Sequence, residues 1–167
     1  MEVYRGIDCN LNYMSYKEKD EVREAKIKAA RFCAYRERAP LEVLHKLRGY
    51  GLISGDVEQV LEELIRDGFL NENRFAISYA NGKLRQKKWG KIKIRRGLEQ
   101  YKIESNCIDV VLEAIPNDEY QDILKKLLDK KWLSLKISDP FIRKHKVAQF
   151  VISKGFEPSL IWEYLKD

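Results

Sequence analysis

The chain has 167 residues, of which 44% are hydrophobic and 35% are charged, and its formal net charge is +6. This composition is typical of a globular protein and excludes a chain that is disordered throughout. Every apolar run is shorter than the roughly 20 residues that a membrane span requires, and no apolar signal segment follows Met1. Three scattered cysteines favour a reducing compartment, so we expect a cytoplasmic protein.

The first part of the chain predicts an arm followed by three helices. Residues 1–20 show no sustained hydrophobic period, and we predict an N-terminal arm of low order there, with a short helix as the alternative. Apolar residues recur with the helical period from Lys17 to Arg38, and Pro40 then occupies a first helical position. Two shorter apolar stripes follow at helical spacing: Val43, Leu47 and Tyr50, then Val57, Val60, Leu61 and Leu64. These segments form a predicted three-helix unit over residues 21–70.

The same pattern occurs twice more along the chain. The apolar positions of the two shorter helices recur 51 residues later and again, less completely, after a further 53 residues. The recurring positions are Ile94, Leu98, Tyr101, Ile108, Val111, Leu112 and Ile115, then Val147, Val151, Phe156, Ile161, Tyr164 and Leu165. A longer helix is expected before each copy, over Glu72–Lys88 and Asn117–Lys136.

This periodicity predicts an all-α fold of three tandem three-helix repeats. We assign the repeats to residues 21–70, 71–115 and 116–167 and expect them to form an elongated or crescent-shaped array. The alternating segment Lys91–Ile94 is too short to indicate a strand, because Leu98 and Tyr101 continue it with helical spacing.

The positive charge of the chain is concentrated in the second repeat. Between Lys83 and Lys102, which we call the basic window, nine basic residues accompany one acidic residue, so this segment carries +8. Such a window is either a solvated helix face or a surface that binds a polyanion, and we favour the second interpretation. The candidate contact residues are Lys83, Arg85, Lys87, Lys88, Lys91, Lys93, Arg95 and Arg96.

Two further features bear on this surface. Trp89 lies within the basic window, where it either stacks on a base or packs between helices, and we favour packing because a Trp buries a large area. A weaker basic cluster in the third repeat is expected to extend the same face. It contains Lys125, Lys126, Lys130, Lys131, Arg143, Lys144 and Lys146.

Motifs for catalysis and cofactor binding are missing from the sequence. It contains neither the GxxxxGKS/T phosphate loop nor the GxGxxG dinucleotide pattern. His45 and His145 have no cysteine or carboxylate at metal-ligand spacing, and no nucleophile signature is present. We therefore predict a protein that is not an enzyme and has no cofactor or metal.

Three segments resemble a known family. Residues 68–76, Gly-Phe-Leu-Asn-Glu-Asn-Arg-Phe-Ala, resemble a specific motif of the RecX proteins, which regulate the RecA recombinase. Residues 89–98 are similar to a second motif of that family, and residues 41–47 are similar to the E-L-x-x-K-L segment of its first repeat. The chain departs from the family at Ala39, where a serine is usual, so a side-chain N-cap is missing before Pro40.

The resemblance implies a RecA regulator, with inhibition favoured over stimulation, that acts in homologous recombination, DNA repair and the SOS response. Such a protein would lie in the groove of the RecA–single-stranded DNA filament and modulate its assembly, ATPase and strand exchange. The implied partners are RecA and single-stranded as well as double-stranded DNA, with no membrane, and we expect a monomer. Arg74 would have a structural role at the repeat junction, where helical spacing and size also place Phe75 and Trp89.

Two alternatives to this function stay open. The first is a free-standing DNA-binding module whose units act like helix-turn-helix domains. The second is a helical scaffold for an acidic protein partner, without nucleic acid.

Overall fold

The computed structural model describes residues 8–166, which form nine α-helices and no strand. The helices are α1 Asp8–Tyr35, α2 Pro40–Gly49, α3 Ser54–Arg66, α4 Glu72–Lys87, α5 Lys91–Gln100, α6 Ser105–Glu113, α7 Asn117–Ser134, α8 Pro140–Ser153 and α9 Pro158–Tyr164. They follow the predicted order of one longer and two shorter helices per repeat. The prediction of an all-α fold built from three-helix repeats is therefore confirmed.

The N-terminal segment is helical over the part that the structure describes. The arm that we predicted for residues 1–20 includes residues 1–7, which lie outside the described range. Helix α1 begins at Asp8, before the expected start at Lys17. Asn10, Asn12 and Ser15 leave this segment without the continuous apolar stripe by which an amphipathic helix is recognised.

The chain divides into two compact units, of which the first ends at Glu72. Its core is formed by small side chains of α1 and branched side chains of α2 and α3. Ala25 and Ala29 of α1 are buried, and a small residue at a helix contact lets the neighbouring backbone approach closely. Most of the predicted stripes are buried, with Val43, Leu47, Val57, Val60 and Leu64 in the core. Leu61 is partly buried, and Tyr50 is exposed directly after α2.

Helix α2 begins without a side-chain N-cap, as Ala39 predicts. Glu42 compensates in part, because its carboxylate accepts the backbone N–H of Ala39 at 2.9 Å. The same carboxylate pairs with Arg36 at 2.8 Å. One of the unsatisfied donors at the helix start is thus bonded from within the first turn.

The second unit begins at Asn73 and contains most of α4 together with α5–α9. The repeated apolar positions lie in its core, with Ile94, Leu98, Ile108, Val147, Val151, Phe156 and Ile161 fully or almost fully buried. In the second repeat an aromatic cluster of Phe75, Tyr79 and Tyr101 joins α4 to α5, with ring centroids 5.1 to 5.8 Å apart. Gly97 makes room for it, since a Cβ there would lie 2.2 Å from the Tyr79 hydroxyl.

Candidate nucleic-acid interface

The basic window covers the end of α4, a three-residue joint and all of α5. Directly after α4, Lys88 adopts the left-handed conformation at φ 54°. The backbone N–H of Trp89 then donates to the carbonyl of Lys83 at 3.1 Å, which closes the last turn. Gly90 follows in an extended conformation and is the N-cap of α5.

The joint is held against the turn between α8 and α9 in the third repeat. The backbone N–H of Gly90 donates to the carbonyl of Lys154 at 2.9 Å, and that of Ile92 donates to the carbonyl of Gly155 at 3.1 Å. The two backbones are so close that a Cβ on Gly90 would lie 2.3 Å from the Gly155 oxygen. These contacts fix the start of α5, and with it the basic window, relative to the third repeat.

Tyr120 of α7 supports the same joint from within the core. Its side chain is 1% exposed, and its hydroxyl accepts the backbone N–H of Lys91 at 3.0 Å. The hydroxyl also donates to the carboxylate of Glu157 at 2.6 Å. Burial, together with the bond to Glu157, raises the pKa of Tyr120 far above its usual range, so the phenol stays protonated and keeps its donor.

Three lysines of the basic window rest on aromatic rings around this joint. The ammonium groups of Lys83 and Lys93 lie 4.8 and 4.9 Å from the centre of the Trp89 ring. Lys91 lies 5.0 Å from the ring of Tyr120. Lys93 also donates to the carbonyl of Ser153 at 3.2 Å. These cation–π contacts hold the lysines beside the joint without cancelling their charge.

Two arginines of the basic window are neutralised by carboxylates. Arg85 forms a bidentate pair with Glu119, at 2.6 and 2.9 Å. This pairing lowers the pKa of the Glu119 carboxyl, so the pair persists at neutral pH. Arg95 pairs with Asp109 of α6. The structure therefore gives Arg85 and Arg95 partners within the protein, which makes them positioning residues rather than free cations.

Lys87, Lys88 and Arg96 are the exposed, unpaired cations among the eight candidates. Each is exposed to solvent. Among residues 19–166, whose side chains the structure describes, no carboxylate forms an ion pair with any of the three. Unpaired cations on a surface are the groups that an external anion would meet first.

The three residues predicted at the repeat junction have different environments. Phe75 is buried in the aromatic cluster. Trp89 is partly buried in the joint, where it carries the two lysines. Arg74 is exposed at the start of α4.

Lys102 is a residue of the basic window that we did not include among the candidates. It is exposed and adopts φ 58° directly after α5. The equivalent positions of the first and third repeats are Gly51 and Gly155, at φ 89° and 88°. Alignment of the three repeats in the sequence points to this position, because a lysine stands there where the other two repeats have a glycine. The glycines suit the left-handed conformation that the backbone adopts at this turn.

We expect the substitution Lys102→Gly to raise the free energy of unfolding by about 0.5–1 kcal/mol, because glycine adopts this conformation without steric cost. The measurement is the midpoint of urea unfolding. As a control, Lys130→Gly in the interior of α7 should lower stability by about 1 kcal/mol. A lower midpoint for Lys102→Gly would show that its side chain stabilises the fold more than the backbone strain destabilises it.

Within the described residues, no group of three or more His, Cys, Asp or Glu side chains has a geometry that could hold a metal ion. None of the helices there is both long enough and apolar enough to cross a bilayer.

Three-helix repeats in tandem, with cations gathered at the joint between the second and third, define a helical repeat protein with a candidate polyanion-binding face. The sequences of the second and third repeats each match the model of a known protein family. Residues 71–112 match the family model of the RecX second three-helix domain, and residues 118–165 match that of the RecX third three-helix domain. The chain belongs to the RecX family.

Curated relatives are named Regulatory protein RecX. The protein of Clostridium tetani is 28% identical over 151 residues, which cover 89% of this chain and 67% of that protein. The protein of Clostridium acetobutylicum is 29% identical, with 98% of this chain and 78% of that protein covered. In Bacillus mycoides the identity is 26%, and the match spans only 56% of the longer relative.

Solved structures share the fold. The crystal structure of a regulatory protein RecX superposes with a TM-score of 0.85 at 23% identity and covers all of this chain and 81% of the other. RecX from Lactobacillus salivarius gives a TM-score of 0.82 at 20% identity, covering 89% of this chain and 96% of that one.

Proposed function

We propose that the chain regulates the RecA recombinase by binding in the groove of the RecA–single-stranded DNA filament. The observation that carries the proposal is the basic window, whose unpaired cations flank a joint fixed to the third repeat. A filament groove that exposes DNA phosphate would attract such a surface. Membership of a family whose relatives are named as regulatory proteins supports the same role.

Different residues of the basic window have different proposed roles. Lys87, Lys88 and Arg96 contact phosphate or the filament directly, because they are exposed and unpaired. Lys83, Lys91 and Lys93 add charge from positions set by aromatic rings. Arg85 and Arg95 position α4 and α5 through their carboxylate partners.

The fixed joint should raise the affinity of the chain for the filament by lowering the cost of ordering on binding. Binding orders flexible side chains and loops at a cost of about 0.5–1.5 kcal/mol for each immobilised side chain. Here the backbone of Gly90 and Ile92 is already bonded to the third repeat, so the start of α5 need not be ordered on binding. Arg74, Phe75 and Trp89 have the proposed structural role of keeping the repeats in register.

The proposed mechanism is steric and electrostatic, without catalysis. A monomer occupying the groove in the cytoplasm would bridge successive protomers and change filament assembly, with inhibition of ATP hydrolysis and strand exchange as the favoured outcome. Phosphate contacts of this kind have little sequence preference, so both single-stranded and double-stranded DNA are proposed partners.

Co-sedimentation tests the proposal. RecA filaments on single-stranded DNA should pellet this chain in larger amounts than DNA alone or RecA alone does, because only the filament offers the groove. Sequence-specific binding to duplex DNA without RecA would instead indicate an independent DNA-binding module. If filaments leave the chain in the supernatant, the proposed function is wrong.

A further inference from the structure

A second lysine–aromatic cluster lies beside the joint, on the third repeat. The ammonium groups of Lys131 and Lys154 lie 4.7 and 5.5 Å from the centre of the Phe150 ring. This arrangement resembles that at Trp89, which carries Lys83 and Lys93. In both clusters, two lysines surround one aromatic ring.

A hydrogen bond from the first cluster ends on the residue next to the second. The ammonium of Lys93, which lies over Trp89, donates to the carbonyl of Ser153 at 3.2 Å. Ser153 is the neighbour of Lys154 in the chain, and Lys154 lies over Phe150. The side chains thus follow one another in space across the border between the second and third repeats, in the order Lys83, Trp89, Lys93, Lys154, Phe150 and Lys131. We call this series the basic–aromatic track.

The track keeps its charge and part of its aromatic surface. Trp89 and Phe150 are both partly exposed to solvent, and a base would stack on either ring by displacing one of the lysines from it. The nearby carboxylates of Glu119 and Glu157 are engaged by Arg85 and Tyr120. Within the described part of the chain, no carboxylate forms an ion pair with the lysines of the track.

We propose that the basic–aromatic track binds single-stranded DNA, with unpaired bases stacking on Trp89 and Phe150 while the lysines contact the phosphates. Alternating aromatic rings and cations are the arrangement by which proteins hold single strands without sequence preference. Duplex DNA does not fit this chemistry as well, because its bases are stacked on one another and unavailable to the rings. The inference deepens the proposed function and rests on it, since it names the form of DNA that this face receives.

The test separates stacking from charge. Binding of a fluorescent oligothymidylate is compared with binding of a strand of equal length and charge that lacks bases. The wild-type chain should bind the strand with bases more tightly, and Phe150→Leu should lower affinity for that strand about tenfold, the size expected for one lost base stack. Affinity for the abasic strand should stay the same, because Phe150→Leu removes no charge.

Phe141→Leu is the matched control. Phe141 is 70% exposed on the same helix, α8, nine positions before Phe150. At about 100° per residue it therefore points to the opposite side of that helix. The control should bind both strands as the wild-type chain does.

Each alternative outcome has a separate meaning. Equal binding of the two strands by the wild-type chain, unaltered in Phe150→Leu, would overturn the track while leaving charge-driven DNA contact in place. If Phe150→Leu lowers the affinity for both strands equally, Phe150 is a structural residue and the stacking role is overturned. Absence of binding to either strand at low salt would contradict the proposed DNA contact itself.

Discussion

The substitution Gly90→Ala should disrupt the joint between the second and third repeats. The new Cβ would lie 2.3 Å from the Gly155 oxygen and 2.4 Å from the Phe156 nitrogen, and neither backbone atom can rotate away as a side chain would. Separating the backbones would break the bonds from Gly90 to Lys154 and from Ile92 to Gly155. We expect a loss of about 2–4 kcal/mol in the free energy of unfolding, from lost hydrogen bonds and overpacking together.

Gly82→Ala is the control for this prediction. Gly82 lies inside α4, and a Cβ there would have no neighbour within 4 Å. Alanine should therefore stabilise the helix by about 0.5–1 kcal/mol. Both variants are measured by urea unfolding, with circular dichroism to verify helix content. Similar midpoints for the two variants would contradict the close approach at Gly90.

The second large effect is expected when the unpaired cations of the basic window are removed. The triple variant Lys87→Gln, Lys88→Gln and Arg96→Gln should lower the affinity for single-stranded DNA about a hundredfold at low salt. The dependence of log affinity on log salt concentration should become shallower by about 2, since each lost phosphate contact contributes about 0.7 for a single strand. Fluorescence anisotropy over a salt series measures both quantities.

An isocharge control distinguishes a site from an overall charge effect. The variant Arg23→Gln, Arg31→Gln and Arg48→Gln removes three exposed cations from the first unit. It changes the net charge by the same amount and should leave the salt dependence as in the wild-type chain. If both triple variants flatten the salt dependence equally, the basic window is no more important than any other charge.

The repeat architecture could be predicted because local periodicity determines it. The shifts of 51 and 53 residues align apolar positions that the structure buries, such as Leu47, Leu98 and Val151. The start of α1 could not be predicted in this way, because its first residues have no continuous apolar stripe. Hydrophobic periodicity predicts a helix only where the sequence contains an apolar stripe.

The charge of the candidate interface was also evident in the sequence, but its neutralisation was not. Arg85 and Glu119 are 34 residues apart, and only the folded chain brings the last turn of α4 within reach of the first turn of α7. Lys131 of α7 reaches the Phe150 ring of α8 for the same reason, whereas Lys154 lies only four positions after that ring in the chain. The support of the joint by Tyr120 depends on a bond to a backbone N–H 29 residues away. Contacts between distant segments leave no periodic trace.

Regulation of RecA by this chain is measured as the rate of ATP hydrolysis by RecA on single-stranded DNA, titrated with the chain. We expect the wild-type chain to lower this rate in a dose-dependent manner. The triple variant of Lys87, Lys88 and Arg96 should require a much higher concentration for the same effect, and the isocharge control should match the wild-type chain. A rate that does not respond to the wild-type chain, or that the triple variant lowers equally well, would contradict the account.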